Sequence, residues 1–350
     1  SKQVSIRVIR PAVGTSSGSR LFRFSTLSLP NPFLQSRAMA FAFSPSRAKP
    51  FLNYKSKLSK ATSNSAVPLV IKVIQPGVHC SIQDRGRVGH ARLGIPIAGS
   101  MDAQSAALGN KLLGNDADAA VTEITFGLGR FQFTKSCAFS LTGADFSATL
   151  DGRPLKPNQV YQAAARETMG FGKRQFGARV YLSVAAGIRS NLVLGSRSYF
   201  PGMTPNRLES GDCLPIQESS ADPFDTQLQP AIEHQEFLSA SLECTPGPEF
   251  RLLNLEQQTR LFRSFSVSVD NNRVGYRLVE SLNNELEPIL TSAVLPGTVQ
   301  LTPDGTLIIL MRDAPVTGGY PRVLQLSESA ICRVSQKIAR DPIRFQLKRN

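Results

Sequence analysis

Acidic side chains are missing from the first 83 positions of this 350-residue chain, Asp84 being the earliest, although residues 1–66 hold eleven lysines and arginines and fourteen serines. A basic, serine-rich stretch with scattered Phe and Leu and no carboxylate buries too little surface to offset ordering, so residues 1–66 are predicted to be a disordered tail. The same composition marks mitochondrial and plastid transit peptides. One of those organelles is the expected destination if the tail is an import signal, and the cytoplasm if it is not. Met39 offers an internal start. Histidine is scarce, with His79, His90 and His234 far apart, and the five cysteines contain no C-x-x-C pair. That spacing excludes a structural zinc site and a dense disulfide framework, and no metal centre is expected. No apolar run reaches the roughly twenty residues that a bilayer span requires.

The formal net charge of +14 is carried mostly by the tail, because residues 67–350 hold 29 basic and 26 acidic side chains. A nearly balanced body without zinc-finger spacing or an RNA-stacking motif argues against a nucleic-acid partner. Its length suits two domains. Short apolar or alternating runs at Val70–Gln75, Ala138–Thr142, Ser147–Leu150, Val180–Ala185 and Ser264–Asp270 read as strands. Asp151-Gly152 signals a hairpin, and Val299–Leu301 with Leu307–Met311 forms another around Asp304-Gly305. Helices are expected over Asp102–Leu113, Asn254–Arg263 and Ser329–Ile338. The pattern predicts a mainly β protein of two barrel-like units with a few short helices. Their bounds are 67–217 and 248–350, with 218–247, mixed in Pro, Asp, Glu and Gln, as the connection.

Two clusters carry the chemistry. Residues 83–102 (QDRGRVGHARLGIPIAGSMD) pack four glycines, three arginines and two aspartates into twenty positions, and DAPVTGGYP follows at 313–321. Glycines at that density let backbone amides approach a ligand closely, and arginine supplies paired donors for a carboxylate or phosphate. Tight turns carrying solvated charges are the alternative. Asp102 is the natural cap of the helix that follows it. Asp84 orients Arg87 or holds a metal–phosphate, the alternative being a structural ion pair or a turn cap. Gln300, on an apolar strand, needs partners for its amide, and a substrate amide is one candidate. Asp145 and Tyr320 divide between pocket contacts and turn or packing roles.

The order of these residues resembles the carboxyltransferase family known as allophanate hydrolase subunit 2. The run Gln83-Asp84-x-Gly86-Arg87-x-Gly89 is followed by Gly94-Ile95-Pro96, Gly99-x-Met101-Asp102 and Gly114-Asn115. Then come Glu123, Thr142-Gly143-Ala144-Asp145, Arg179-x-Tyr181-Leu182, Gly195-Ser196-Arg197-Ser198 and Arg273-x-Gly275-x-Arg277-Leu278. Gly297-x-x-Gln300, Asp313 and Thr317-Gly318-Gly319-Tyr320-Pro321 close the set, which spans residues 70–350. The chain departs from the pattern at Arg166-Glu167, Ala186, Thr204-Pro205-Asn206, Asn272 and Pro315-Val316.

The resemblance implies a pair of cyclophilin-like β-barrels. It also implies the part of a C-type component in an ATP-dependent 5-oxoprolinase, working with a B-type partner chain on a small anionic amide. The stable lactam would be activated by phosphorylation of its amide oxygen and then hydrolysed, which needs positioning and cancellation of charge more than a nucleophile. On that reading Asp84, Arg87, Asp145, Arg273, Gln300 and Tyr320 are catalytic. Gln83, Gly86, Gly94, Gly99, Gly275, Arg277, Thr317, Gly318 and Gly319 bind substrate or phosphate. ATP with Mg is the expected cofactor, shared with the partner because no G-x-x-x-x-G-K-[ST] loop occurs. Carboxyl transfer to urea from carboxybiotin on another chain is the alternative, and a non-catalytic cyclophilin-like regulator is a third. A fluorescent protein fused behind residues 1–66 is expected to enter an organelle, and a signal confined to the cytosol would exclude import.

Overall fold

The computed structural model describes residues 69–204, 207–216 and 239–348, together with two strands near the start of the chain. Two compact units divide it, residues 1–56 and 57–350. In the first, Arg7–Ile9 pairs antiparallel with Phe24–Thr26. The tail expected at 1–66 otherwise lies outside the described residues. So does most of the expected connection, although its end, Ser241–Pro246, is a strand of the second half.

In the larger unit, residues 69–216 form two sheets. One runs in the order Gln159–Ala163, Cys137–Asp145, Phe176–Val184, Val121–Thr125, His79–Gln83. The other runs Cys213–Pro215, Leu69–Gln75, Arg130–Phe133, Thr168–Gly170, Thr149–Leu150, Arg153–Pro154. Side chains alternate across a strand, and here the alternation separates two buried faces. Ile82, Ile124, Val180, Leu182 and Phe139 pack with Ile71, Phe131 and Phe133 of the second sheet in one core. The opposite face of the first sheet is polar. Ser81 stands beside Glu123, Glu123 beside Tyr181, Tyr181 beside Thr142, and Ser183 beside Ser140. All six are buried.

Helix α1 (Ala103–Leu112) covers part of that polar face. The Ser140 hydroxyl donates to Gly109 O at 2.8 Å and the Thr142 hydroxyl to Ser105 O at 2.7 Å. Gly109 is what lets the helix sit so low, since a Cβ there would stand 2.6 Å from Ser183 Oγ and 3.0 Å from Thr142 Oγ1. The start of α1 is fixed by Asp102, whose carboxylate accepts from Ser105 N at 3.0 Å.

Residues 239–348 close into a seven-stranded barrel: Ser241–Pro246, Arg322–Leu326, Thr298–Leu301, Leu307–Leu310, Gly275–Leu278, Ser264–Asn271, Pro342–Leu347. The last strand returns to the first as a parallel neighbour, Leu242 opposite Phe345. Phe265, Val267, Leu278, Val299 and Ile309 fill it. Helix α2 (Leu255–Leu261) opens on a reciprocal cap between Asn254 and Gln257, and α3 (Glu328–Ser335) is capped by Ser327. The mainly β expectation and all three expected helices are present, the last starting one residue early and ending at Ser335. One half closes as a barrel, whereas the other keeps two sheets. Period and turn chemistry are alike in both cases, and only the long-range pairing of the edge strands separates them. No helix among the described residues is long and apolar enough to cross a membrane.

Alanine at Gly109 would gain about 1 kcal/mol of helix propensity, but overpacking against three hydroxyls costs about 1–3 kcal/mol. Gly109→Ala is therefore expected to lower the midpoint of thermal unfolding, and a raised midpoint would contradict the packing described.

Candidate functional site

The glycine- and arginine-rich segment leaves the sheet at Gln83 and doubles back on itself. Arg87 N donates to Ile97 O at 2.6 Å and Ser100 N to Asp84 O at 2.9 Å. The turn demands glycine at two points. Gly86 has φ +92° and a Cβ there would stand 2.4 Å from Ile97 O, while Gly99 has φ +91° with Asp84 O 3.0 Å from its Cβ position. Asp84 is the organising carboxylate. Its Oδ1 accepts from Gly86 N (2.8 Å), Ser196 Oγ (2.6 Å) and Ser198 Oγ (2.6 Å), and its Oδ2 from Arg197 N at 2.6 Å. Both oxygens are engaged by the chain itself, in the manner of a turn cap. Arg87 lies sealed beneath this loop, 1% exposed. Its Nε donates to Val193 O at 3.1 Å and its Nη2 to Ser198 O.

Where the polar sheet face meets the barrel, a buried ionic network joins the two halves. Glu123, fully buried, accepts from Arg273 Nη1 at 2.6 Å, the Tyr181 hydroxyl at 2.9 Å and Met101 N at 2.8 Å. Arg179 Nε stands 3.7 Å from the same carboxylate. Arg273 reaches Asp313 through two bonds, Nε at 2.8 Å and Nη2 at 2.9 Å, and Nη2 also donates to Gly99 O at 2.6 Å. Arg179 Nη1 donates to the Tyr276 hydroxyl at 2.9 Å and to Ser335 O. Gln336 completes the seam. Its Oε1 accepts from Ala178 N and Arg179 N, both at 2.9 Å, and its Nε2 donates to Asp102 at 2.8 Å.

Burial alone would raise the Glu123 pKa, but the guanidinium of Arg273 and then that of Arg179 hold it below the ordinary glutamate value. Burial likewise opposes the charge on Arg273, and Glu123 and Asp313 more than compensate, so its pKa lies above the usual arginine value. Burial pushes the Tyr181 hydroxyl well up, with Glu123 and Asp102 adding to it. The phenol therefore stays protonated and serves as donor to Glu123 and acceptor from Asp102 N at 2.7 Å.

A second group of expected residues gathers at the barrel. Gln300 Nε2 donates to Tyr320 O at 3.3 Å, and Gly318 lies so close that a Cβ would stand 2.6 Å from the same nitrogen. Gly319 O accepts from Ile289 N, and Thr317 pairs with Ala293. The groups are neighbours along the chain, because the four residue steps from Asp313 to Thr317 span at most about 14 Å. Ala98 N also bonds Arg312 O at 3.0 Å. The remaining candidates stand elsewhere. Gly94 caps an exposed turn at φ +73°, and Asp145 Oδ1 accepts from Ser147 N at 2.7 Å in a turn of its own. Gly275 pairs within the barrel wall, while Arg277 is exposed between inward-facing Tyr276 and Leu278. Gln83 donates to Ser81 Oγ at 2.9 Å. Sequence reasoning assigned no site role to Glu123, Asp313, Tyr276 or Gln336. The available signals were a lone glutamate in Val121–Thr125 and the places of Glu123 and Asp313 in the family pattern.

The family described as carboxyltransferase domain, subdomain A and B, matches residues 93–347, and the chain belongs to that family. It is 33% identical over 284 residues to the C subunit of 5-oxoprolinase from Escherichia coli (strain K12), covering 79% of this chain and 90% of the relative. With urea amidolyase of Saccharomyces cerevisiae (strain ATCC 204508 / S288c) the identity is 29% over 319 residues, covering 83% of this chain and 17% of that protein. The solved structure of TTHA0988 superposes with a TM-score of 0.72 at 27% identity, covering 81% of this chain. The chain spans 56% of that protein's length.

Removing one partner of a buried ion pair leaves the other charge uncompensated, at a cost of about 3–5 kcal/mol. Glu123→Gln is expected to lose that much unfolding free energy. Because the folded pKa of Glu123 is depressed, its contribution is fully present above the ordinary glutamate value of 4.5 and is lost as pH falls through the lower folded value. The stability gap between the natural chain and Glu123→Gln should narrow in acid, and a gap independent of pH would contradict the assignment.

Proposed function

We propose that this chain is a C-type component of an ATP-dependent 5-oxoprolinase, helping to open 5-oxoproline to glutamate together with a B-type partner chain. The observation that carries the reading is the 33% identity to the C subunit of 5-oxoprolinase across 90% of that protein. The name of that relative marks it as one component of a larger assembly.

The balanced reaction consumes the lactam, ATP and two waters and yields glutamate, ADP and phosphate. The amide oxygen takes the γ-phosphoryl group, one water adds at the activated carbon, and the ring C–N bond breaks with the nitrogen leaving as the amine. A second water hydrolyses the resulting acyl phosphate to the carboxylate and free phosphate. Such chemistry is governed by positioning and by neutralising charge. Within this chain the labour divides. Arg273 is committed to Glu123, Asp313 and Gly99 O. It is therefore a positioning residue that locks the 84–102 loop onto the barrel, and Arg277 points away from that seam. Among the described residues no group of three or more His, Cys, Asp or Glu side chains is placed to hold a metal ion. The Mg that accompanies ATP would be held by the nucleotide and the partner.

Similarity to urea amidolyase favours one second reading, transfer of a carboxyl group from carboxybiotin on another chain to a neutral amide. Mixed with the B-type chain of such an assembly, the protein should hydrolyse ATP in response to 5-oxoproline. Absence of that stimulation, with carboxyl transfer from carboxybiotin to urea in its place, would replace the first reading by the second.

A further inference from the structure

Arg87 is a buried cation with no carboxylate in contact. Of the three arginines buried among the described residues, Arg179 and Arg273 form ion pairs with Glu123, and Arg273 also pairs with Asp313. Arg87 is held only by two carbonyls, Val193 O at 3.1 Å and Ser198 O. The nearest candidate counter-ion, Asp84, spends both oxygens on Gly86 N, Ser196 Oγ, Ser198 Oγ and Arg197 N. Burial lowers the Arg87 pKa, and the more distant charges of Asp84 and Asp313 oppose that shift without cancelling it. Arg87 Nη1 has no hydrogen-bond partner; Arg179 Nε shares that condition but faces the Glu123 carboxylate at 3.7 Å. A buried charge with an unused donor is costly unless something else completes it. Two further unpartnered polar atoms, Gln83 Oε1 and Ser100 Oγ, bracket the same doubled-back loop.

We infer that Arg87 is the anion-recognition residue of this chain: Nη1 receives an oxygen of a carboxylate-bearing lactam, and so selects an anionic substrate over a neutral amide such as urea. The inference rests on the oxoprolinase reading for the identity of the ligand, and on geometry alone for the demand for an anion. A carboxyl group of this kind is ionised at neutral pH, and a guanidinium–carboxylate contact is among the stronger hydrogen bonds available. Because Nη1 is sealed from solvent, the ligand enters by displacement of the segment that follows directly. Val88, Gly89, Arg92 and Leu93 are all exposed there, with Gly89 at φ +90° and the following Gly94 at φ +73°.

The test is isothermal titration of the full chain with 5-oxoproline and with 2-pyrrolidone, which is the same ring without its carboxylate. The natural chain should bind 5-oxoproline at least about tenfold more tightly, the difference expected for one charge-assisted hydrogen bond. Arg87→Gln should lose the preference, and Arg87→Lys should retain part of it. If Arg87→Gln does not fold, as judged by circular dichroism, the comparison on the natural chain and Arg87→Lys decides. Equal affinity for the two rings, no binding of 5-oxoproline, or a preference that survives in Arg87→Gln would each overturn the inference. Binding of inorganic phosphate, with no response to 5-oxoproline, would reassign the donor to a phosphoryl group and overturn it as well. The outcomes separate from those of the proposed function. A tenfold preference without stimulated ATP hydrolysis in the assembled complex would remove the oxoprolinase reading alone, whereas undiminished 5-oxoproline-stimulated hydrolysis by Arg87→Gln would remove the role of Arg87 alone.

Discussion

A single carboxylate with no exposed surface fixes how the two halves of the larger unit meet. Glu123 sits on an inner strand of a sheet, yet the charge that answers it, Arg273, comes from the barrel 150 positions later. Removing two charges from water is expensive, and the expense is offset only when geometry is good and the remaining donors and acceptors are used. Here they are used: Tyr181, Met101 N, Asp313 and Gly99 O take up the other positions around the pair. The pair is less a source of net stability than a condition on where the two halves can stand, because any other docking leaves a buried charge unpaired.

The same constraint explains the odd character of the first sheet. One of its faces is an ordinary apolar core face, while the other is buried and polar. Such a face is tolerable when nearly all of its hydroxyls and its carboxylate meet partners, and of Ser81, Glu123, Tyr181, Thr142, Ser140 and Ser183 only the last lacks one. Helix α1 supplies carbonyls to Ser140 and Thr142, and the barrel supplies guanidinium groups and the Gln336 amide. The seam in turn fixes the site. Arg273 grips the carbonyl of Gly99 and Ser100 N grips Asp84 O, so the loop carrying Arg87 is anchored at its base by residues from both halves.

Much of this was legible where the cause is local. Asp102 and Asn254 announce helix starts through side-chain capping, and Asp151-Gly152 announces its hairpin because both residues adopt positive φ, +44° and +81°. The strict alternation of Ser264–Asp270 is that of a barrel strand with Phe265 and Val267 turned inward. What was hidden depends on distant partners. Val121–Thr125 is buried on both faces, so it shows no contrast between a wet and a dry side. Glycines and arginines at 86, 99 and 273 stood out by residue type, but their pairing did not, since Gly99 and Arg273 are separated by 174 positions. Arg277 looked equivalent to Arg273 by type, and only strand parity, which turns Tyr276 and Leu278 inward, sends it outside. Closure of one half into a barrel rests on the parallel pairing of Ser241–Pro246 with Pro342–Leu347, which no local pattern encodes.

Two hydrophobic cores joined by a charged seam should behave as one cooperative unit. Native-state hydrogen exchange measures this directly, by comparing opening free energies for amides in Phe176–Val184 of the sheet and Thr298–Leu301 of the barrel. The seam predicts a shared value for the slowest amides of both strands. Exchange in the barrel through an opening that leaves the sheet protected would show that the halves are merely adjacent, and would contradict the account.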